Sequence, residues 1–528
     1  MKKQTVIVIF LCLFVHQMFA QTAKATIKAD VKWGAYTDKK TAKQLGIAGQ
    51  NTIIYGDETN LYSLNDATKI IPYVGITYHV FTLIKLNRST LAPTSSYRFK
   101  KVKINNINSN LADIFSVGNE MYATYFCIDK KAKKLTIYAK KINKSTLAPE
   151  EKSTKLTTIS FEEESRLKGF TYDMKKTPDN SKFLIFYSTG KRKEKEKIGM
   201  NVFDADLNEI SSFEHQFEYL DKDMLLISEQ ISNDGNVSIL ASVREPKSDL
   251  LYKIYNFKKN EKTVSYELNL KDHRITDIQI GYNGNKLVAA GFYNDAKILT
   301  GVKGSFIGDI DVLTGELNNL KFKEFDVKFI KDGLSKHAQK KVDNKEQKGK
   351  DELLSNVRMG DLVFTASGRT ILTGESFWVV KHVVNTGKTT YTYYEYVYGN
   401  VLVLSFDKDG NNEWCQKVEK QWSTINIKLP IEYTMPLMVK GEDTYFLYRG
   451  DISKEIKASM TTSDKNGSIF MTKYTADGKE AVVPILKKLD VPGWLTYLAF
   501  APGTNEVYGM KYVRGSGFAY CKVNLKEK

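Results

Sequence analysis

The ten residues Thr389-Thr390-Tyr391-Thr392-Tyr393-Tyr394-Glu395-Tyr396-Val397-Tyr398 hold five tyrosines. A tyrosine offers rigid apolar area with a hydroxyl at its rim. That chemistry suits stacking on a sugar ring or base, or anchoring a protein interface. In an extended strand, Thr392, Tyr394, Tyr396 and Tyr398 fall on one side and Tyr391, Tyr393, Glu395 and Val397 on the other, so aromatics line both. Facing tyrosines also stabilise a long hairpin by cross-strand contact alone. Both readings stay open on the sequence.

A second group of residues is basic. Gly190 to Lys197, GKRKEKEK, carries Lys191, Arg192 and Lys193, and KHAQKKVDNKEQKGK holds Lys340 and Lys341 among six lysines against two acids. The 528-residue chain has 78 Lys and Arg against 61 Asp and Glu, a formal charge of +17. Such an excess attracts anionic partners such as acidic glycans, lipopolysaccharide phosphates or nucleic acid, and it also serves solubility. A specific nucleic-acid partner is not expected.

Reaction chemistry of the common kinds has little to stand on. After the first twenty residues five histidines remain, His79, His215, His273, His337 and His382, and no pair has metal-ligand spacing. HExxH, GxSxG, a P-loop and a glycine-rich dinucleotide turn are all missing from the sequence. Asp407-Lys408-Asp409-Gly410-Asn411-Asn412-Glu413 resembles a short calcium loop, but its glycine stands fourth where an EF-hand-like loop needs it sixth, so a hairpin turn is expected. No metal or cofactor is expected.

The elements that position these residues repeat eight times. A polar turn leads into an apolar strand at Gly56, Gly118, Asp179, Asp234, Gly284, Gly368, Gly441 and Gly503. A second apolar strand then closes each module near Asn87, Asn143, Asp204, Asn256, Asp311, Asp407, Thr475 and Asn524. Two modules still match in detail, Phe81 to Pro93 (FTLIKLNRSTLAP) and Ile137 to Pro149 (IYAKKINKSTLAP). Units of ~50 residues holding four short strands predict an all-β fold, a β-propeller of eight blades with seven as the alternative. With strands A to D running outward in each blade, the A–B and C–D turns share one face, and the B–C and D–A connections the other. The basic loop at 190–197, the connection Gly450 to Ser468, a partly helical insertion at about 321–356 and a projecting hairpin at about 370–406 all fall on that second face. Phe322, Phe325 and Phe329 are expected to anchor the insertion. Glu229, Asp277, Arg358, Asp361 and Glu432 are expected on inward A strands, where a carboxylate pair would allow glycosidase or lyase chemistry and buried ion pairs are the plainer outcome.

Lys2 and Lys3, the apolar stretch Val6 to Val15 and Met18-Phe19-Ala20 read as a cleaved signal peptide over 1–20, which predicts export to the periplasm or beyond. No later segment is long and apolar enough to span a membrane. Cys127, Cys415 and Cys521 lie in or beside apolar strands and are expected as free thiols. The last module ends at its C strand, so Ala25 to Trp33 is the expected closing strand of a single domain over 21–528.

The phrasing of Asp179 to Asp204, the lysine-rich insertion, Ile371 to Trp378 (ILTGESFW) and Tyr393 to Gln421 is similar to uncharacterised secreted β-propeller proteins of the Bacteroidetes type. That resemblance implies the fold and export, and no catalytic residues. Ser405 to Gly410 with Trp414 also resembles the Asp-box of sialidase propellers and the blade motif of quinoprotein dehydrogenases. Its spacing is off by one residue, so neither activity carries over. The expected function is an exported, non-enzymatic binding protein for an anionic glycan, lipopolysaccharide or an envelope protein. A polysaccharide hydrolase or lyase at the channel mouth is the alternative.

Overall fold

The turns show how this sequence shapes its strands. In the two matching modules, Asn87 Oδ1 accepts the amides of Ser89 (3.0 Å) and Thr90 (2.9 Å), and Asn143 Oδ1 accepts those of Ser145 (2.9 Å) and Thr146 (3.1 Å). Leu91 and Leu147 then take φ of 61° and 62°, and each is buried at the interface with a neighbouring sheet. A left-handed leucine costs ~1–2 kcal/mol, which burying its side chain, at ~1.5–3 kcal/mol, offsets. The Asp407 turn repeats the geometry of the Asp204 turn: Asp407 Oδ1 accepts the amides of Asp409 (2.9 Å) and Asn411 (2.8 Å), and Asp204 Oδ1 those of Asp206 (2.9 Å) and Asn208 (2.8 Å). The carboxylate that suggested a calcium loop therefore closes a hairpin.

This architecture is seen in a computed structural model that describes residues 27–45, 50–70, 77–161, 170–189, 193–244, 250–270, 272–296, 301–331, 339–340, 343, 354, 357–386, 389–420, 422–426, 437–450, 468–486, 494–501, 506–513 and 517–527. The chain is all-β, with two short helices at Lys39–Gln44 and Val327–Lys331 among the described residues. The described strands form eight antiparallel sheets, most of them four consecutive strands in chain order. The first sheet, Gln50–Gly56, Asn60–Ile70, Thr77–Asn87 and Pro93–Arg98, sets the pattern.

Sequence pattern follows position in the sheet. A second strand such as Val237–Arg244 (VSILASVR) is buried at every residue but the last, because both of its faces meet neighbouring sheets. A fourth strand such as Glu209–Leu220 (EISSFEHQFEYL) alternates, with Glu209, Ser212, Glu214, Gln216 and Glu218 in water. Each sheet packs on the next through its own apolar cluster: Phe115 of the second meets Phe183 of the third at 4.9 Å, and six further clusters join the rest in order. The last sheet also packs on the first, Tyr508, Met510, Phe518 and Tyr520 lying against Ile53, Leu61, Ile84 and Leu86. Ile27–Trp33 joins the last sheet, antiparallel to Gly517–Glu527, with Ile27 opposite Glu527 and Trp33 opposite Cys521.

Several expectations shift in detail. Leu317–Glu324 is the outer strand of the fifth sheet, so Phe322 belongs to it and packs on His273 and Tyr293; the excursion starts only after Glu324. Phe325 is buried, and Phe329 lies against it on Val327–Lys331. Lys195–Asp204 is already strand, which shortens the basic loop, and Glu196 is buried as acceptor for the Ser188 hydroxyl. Cys127, Cys415 and Cys521 are free thiols. No helix among the described residues is long and apolar enough to cross a membrane. Residues 1–20, Glu432 and most of Gly450 to Ser468 lie outside the described residues.

Candidate functional site: the projecting hairpin

In the sixth sheet Thr370–Asn385 and Thr390–Phe406 are 16 and 17 residues long, about three times an ordinary strand. A register shift between Glu375 and Phe377, opposite Gly399 and Asn400, marks where the ribbon leaves the sheet. Gly399 is needed there: a Cβ would come within 2.9 Å of the Trp378 ring. Beyond the bulge, Phe377 faces Tyr398, Val379 faces Tyr396, Lys381 faces Tyr394 and Val383 faces Thr392 on one side. Trp378, Val380, His382 and Val384 face Val397, Glu395, Tyr393 and Tyr391 on the other.

The root of the ribbon is charged and buried. Glu375 is fully buried and accepts Arg358 Nε at 2.7 Å and Lys420 Nζ. Burial drags the Lys420 ammonium below its usual range, and Glu375 pulls it back only in part. The Arg358 guanidinium also lies over the rings of Phe377 (5.0 Å) and Tyr398 (4.8 Å). Arg358, expected on the inward strand, is thus spent on an ion pair.

Along the shaft, the short strand Trp422–Ile425 pairs with Glu395–Tyr398 as a third strand. Its Ser423 hydroxyl donates to Glu395 Oε1 at 2.7 Å, and His382 Nε2 meets Glu395 Oε2 at 2.9 Å. The Ser423 hydroxyl, then His382, holds the Glu395 carboxyl below its ordinary range. The carboxylate stands between hydroxyl and imidazole, so the histidine is no base for Ser423 and the trio is no acyl-transfer machine. Instead it fixes a platform, since the His382 ring stacks on Tyr393 at 4.6 Å and 12°.

The proposed binding tyrosines therefore divide. Tyr398 is fully buried and supports the root, Tyr396 stacks on Phe377 at 6.3 Å, and Tyr393 is half-buried under His382. Tyr391 and Tyr394 are exposed at 52% and 43%, together with Trp378, Val379, Val383 and Ile425. The sequence pattern did not single out these last four. Of the basic residues, Lys193 is exposed in a turn and Lys340 is exposed in a helical conformation; Lys191, Arg192 and Lys341 lie outside the described residues.

A second polar group lies on the first strands of the sheets. Asp173 and Lys175 sit on Thr171–Lys176, Glu229 on Met224–Ile231, and Asp361 between Val357–Met359 and Val363–Phe364. Lys175 Nζ is 3.4 Å from Asp173 Oδ2, and although burial opposes it, Asp173, Asp361 and Glu229 together keep the ammonium above its usual range. Burial raises the Glu229 carboxyl, Lys175 offsets part of that, and Asp173 and Asp361 add to it. Asp361 of the sixth sheet bears electrostatically on Lys175 of the third and Glu229 of the fourth. Asp277 is raised by burial and accepts the Met359 amide at 3.0 Å, a structural tie between the fifth and sixth sheets.

No family model matches the chain, and no curated protein matches it. Among solved structures it is similar to the β-propeller domain of the trilobed protease from Pyrococcus furiosus, at 12% identity over 84% of this chain and 97% of that one, TM-score 0.37. It is likewise similar to the polysaccharide lyase Uly1 (12% identity, 80% of this chain and 93% of that one, TM-score 0.35) and to a protein of unknown function from Bacteroides caccae (10% identity, 64% and 89%, TM-score 0.26). None of the three decides the activity of this chain.

Proposed function

We propose that the eight sheets are the blades of a closed eight-bladed β-propeller, completed by Ile27–Trp33, and that this exported, non-enzymatic protein binds a partner through the hairpin on its B–C face. One observation carries the binding role: a ribbon that outreaches its sheet keeps Trp378, Val379, Val383, Tyr391, Tyr394 and Ile425 in water, on a shaft fixed by hydrogen bonds and ring stacking. Val379, Val383 and Tyr394 stand on one side of the ribbon and Trp378, Tyr391 and Ile425 on the other, and exposed apolar groups concentrated on one projecting element mark interaction surfaces. Of the anionic glycan, lipopolysaccharide and envelope-protein partners, the aliphatic residues favour a protein. Valine and isoleucine branches give a sugar ring neither a stacking plane nor a hydrogen bond, but they pack well in a protein interface. A glycan-array screen and cross-linking against envelope proteins, run with wild type and a Tyr391→Ala/Tyr394→Ala variant, test this. A partner lost by the variant at unchanged melting temperature supports the role; identical profiles remove the hairpin from it.

For closure, deleting residues 21–34 should lower the melting temperature by several degrees, because the last sheet loses its outer strand and the apolar cover of Val31 and Trp33. An unchanged midpoint rejects it. Export predicts a mature chain beginning at Gln21, which N-terminal sequencing reads directly.

The second reading is a polysaccharide-active site on the first strands. Glu229, kept protonated toward higher pH beside the Lys175–Asp173 pair, has the acid character such chemistry requires. Turnover of an acidic polysaccharide that vanishes in Glu229→Gln and persists in the tyrosine variant would put that reading first.

A further inference from the structure

Resting on the reading of the hairpin as the binding element, we infer that the outward edge of Trp378–Val384 templates an added β-strand from a partner protein, and that this strand carries an acidic residue flanked at alternate positions by apolar ones. Inside the sheet, the same edge of Thr370–Asn385 is covered: Val363–Phe364 pairs with Thr370 and Ile371, and Val357–Met359 with Gly374 to Ser376. Past Ser376, among the described residues, Trp378–Val384 pairs only on its other side, with Tyr391 to Val397. The opposite arm has already recruited Trp422–Ile425 along its own outer edge, so this ribbon accepts an added strand on one side within the chain itself. A row of backbone amides and carbonyls at a sheet edge is a ready template for another extended chain, and in such recognition the alternating side chains supply specificity.

The side chains beside the edge define the occupant. Val379 and Val383, exposed at 46% and 60%, bracket Lys381 on one side of the ribbon. An incoming strand would set one residue opposite Lys381 and apolar residues two positions away on either hand, against the valines. An acid is the complement of that lysine, and the formal charge of +17 draws acidic segments in general. A second copy of this chain fits worse. Its longest antiparallel overlap over Trp378–Val384 is centred on Lys381 and puts the two lysines face to face.

The test uses two nine-residue synthetic peptides of alternating valine and threonine, one with glutamate and one with lysine at the centre, titrated against the full chain and against Lys381→Glu. Wild type should prefer the glutamate peptide by about tenfold and the variant should reverse the order, as expected when a cross-strand attraction becomes a repulsion. Bound peptide should also slow amide exchange at Trp378–Val384. Equal affinity of wild type for both peptides, no binding of either, or slowed exchange elsewhere overturns the inference. A concentration-dependent dimer in light scattering, with slowed exchange at these amides and no peptide present, assigns the edge to a second copy and overturns it too. Partner binding lost in Tyr391→Ala/Tyr394→Ala with no peptide bound by wild type leaves the hairpin role standing and removes only the edge.

Discussion

The inner and outer halves of the long ribbon have the same backbone and opposite environments. Inside the sheet, Thr370–Glu375 and Val401–Phe406 are buried without interruption, and their one acid, Glu375, is enclosed by Arg358 and Lys420. Outside it, Trp378–Asn385 and Thr390–Tyr396 are half-exposed, and their one acid, Glu395, rests on Ser423 and His382 with water beside it. The inner charge cannot leave its partners, because no solvent waits to replace them; the outer charge can. The root is therefore built to hold and the tip to be exchanged for a partner.

The strongest way to break that contrast is to treat both acids alike. Glu375→Ala removes the buried carboxylate that Lys420 and Arg358 share and should cost ~3–5 kcal/mol in denaturant unfolding, whereas Glu395→Gln should cost less than ~1 kcal/mol. Equal losses would mean that the root is wetter than the packing indicates. The tyrosines give the next test. Tyr398→Ala removes a fully buried ring and should cost about 3 kcal/mol, while Tyr394→Ala should stay within about 0.5 kcal/mol.

A smaller effect separates the hairpin from the neighbouring insertion. Lys417, nearly buried on the sixth sheet, donates to the carbonyls of Phe329 and Ile330 and lies over the Phe329 ring at 4.5 Å. It ties the short helix Val327–Lys331 to the sheet through two of the helix's own carbonyls. Lys417→Met keeps the stem but drops these bonds, so a loss of ~1–2 kcal/mol is expected, with faster proteolysis after Glu324 and unchanged cleavage in the hairpin. Cleavage that rises equally in both would join the two regions into one unit.

How much of this was readable in the sequence depended on how local the cause was. Asn87, Asn143, Asp204 and Asp407 announced their turns because each side chain closes its own loop. The hairpin was legible from its length and from tyrosines at period two. Its inside and outside were not: Tyr398 and Tyr394 share a face of one strand, and only the bulge at Gly399 and the Arg358 guanidinium beneath decide which is buried. Phe322 was misplaced because its spacing to Phe325 and Phe329 is helical, while pairing with Phe306 across the fifth sheet holds it in a strand. Ties between sheets, such as the Met359 amide on Asp277, carry no local signal at all.

The last and smallest test uses pH to set the hairpin's acid, Glu395, against Glu229 on a first strand. Glu395 has its pKa lowered on folding by Ser423 and then His382, so it binds fewer protons folded than unfolded near its ordinary value. Its contribution is present at neutral pH and fades as pH falls through the lowered folded value, so the stability gap between wild type and Glu395→Gln, below ~1 kcal/mol, should close under about pH 4. Glu229 has its pKa raised, chiefly by burial, and the sign reverses. Stability is lost as pH rises from the ordinary carboxylate value through the raised one, so Glu229→Gln should gain stability at pH 7 and nothing at pH 4. Melting curves of the two variants against pH should therefore slope in opposite directions relative to wild type. Parallel slopes would mean that Glu229 is solvated like a surface acid, and the group of Asp173, Lys175, Glu229 and Asp361 would then have no claim to acid–base chemistry.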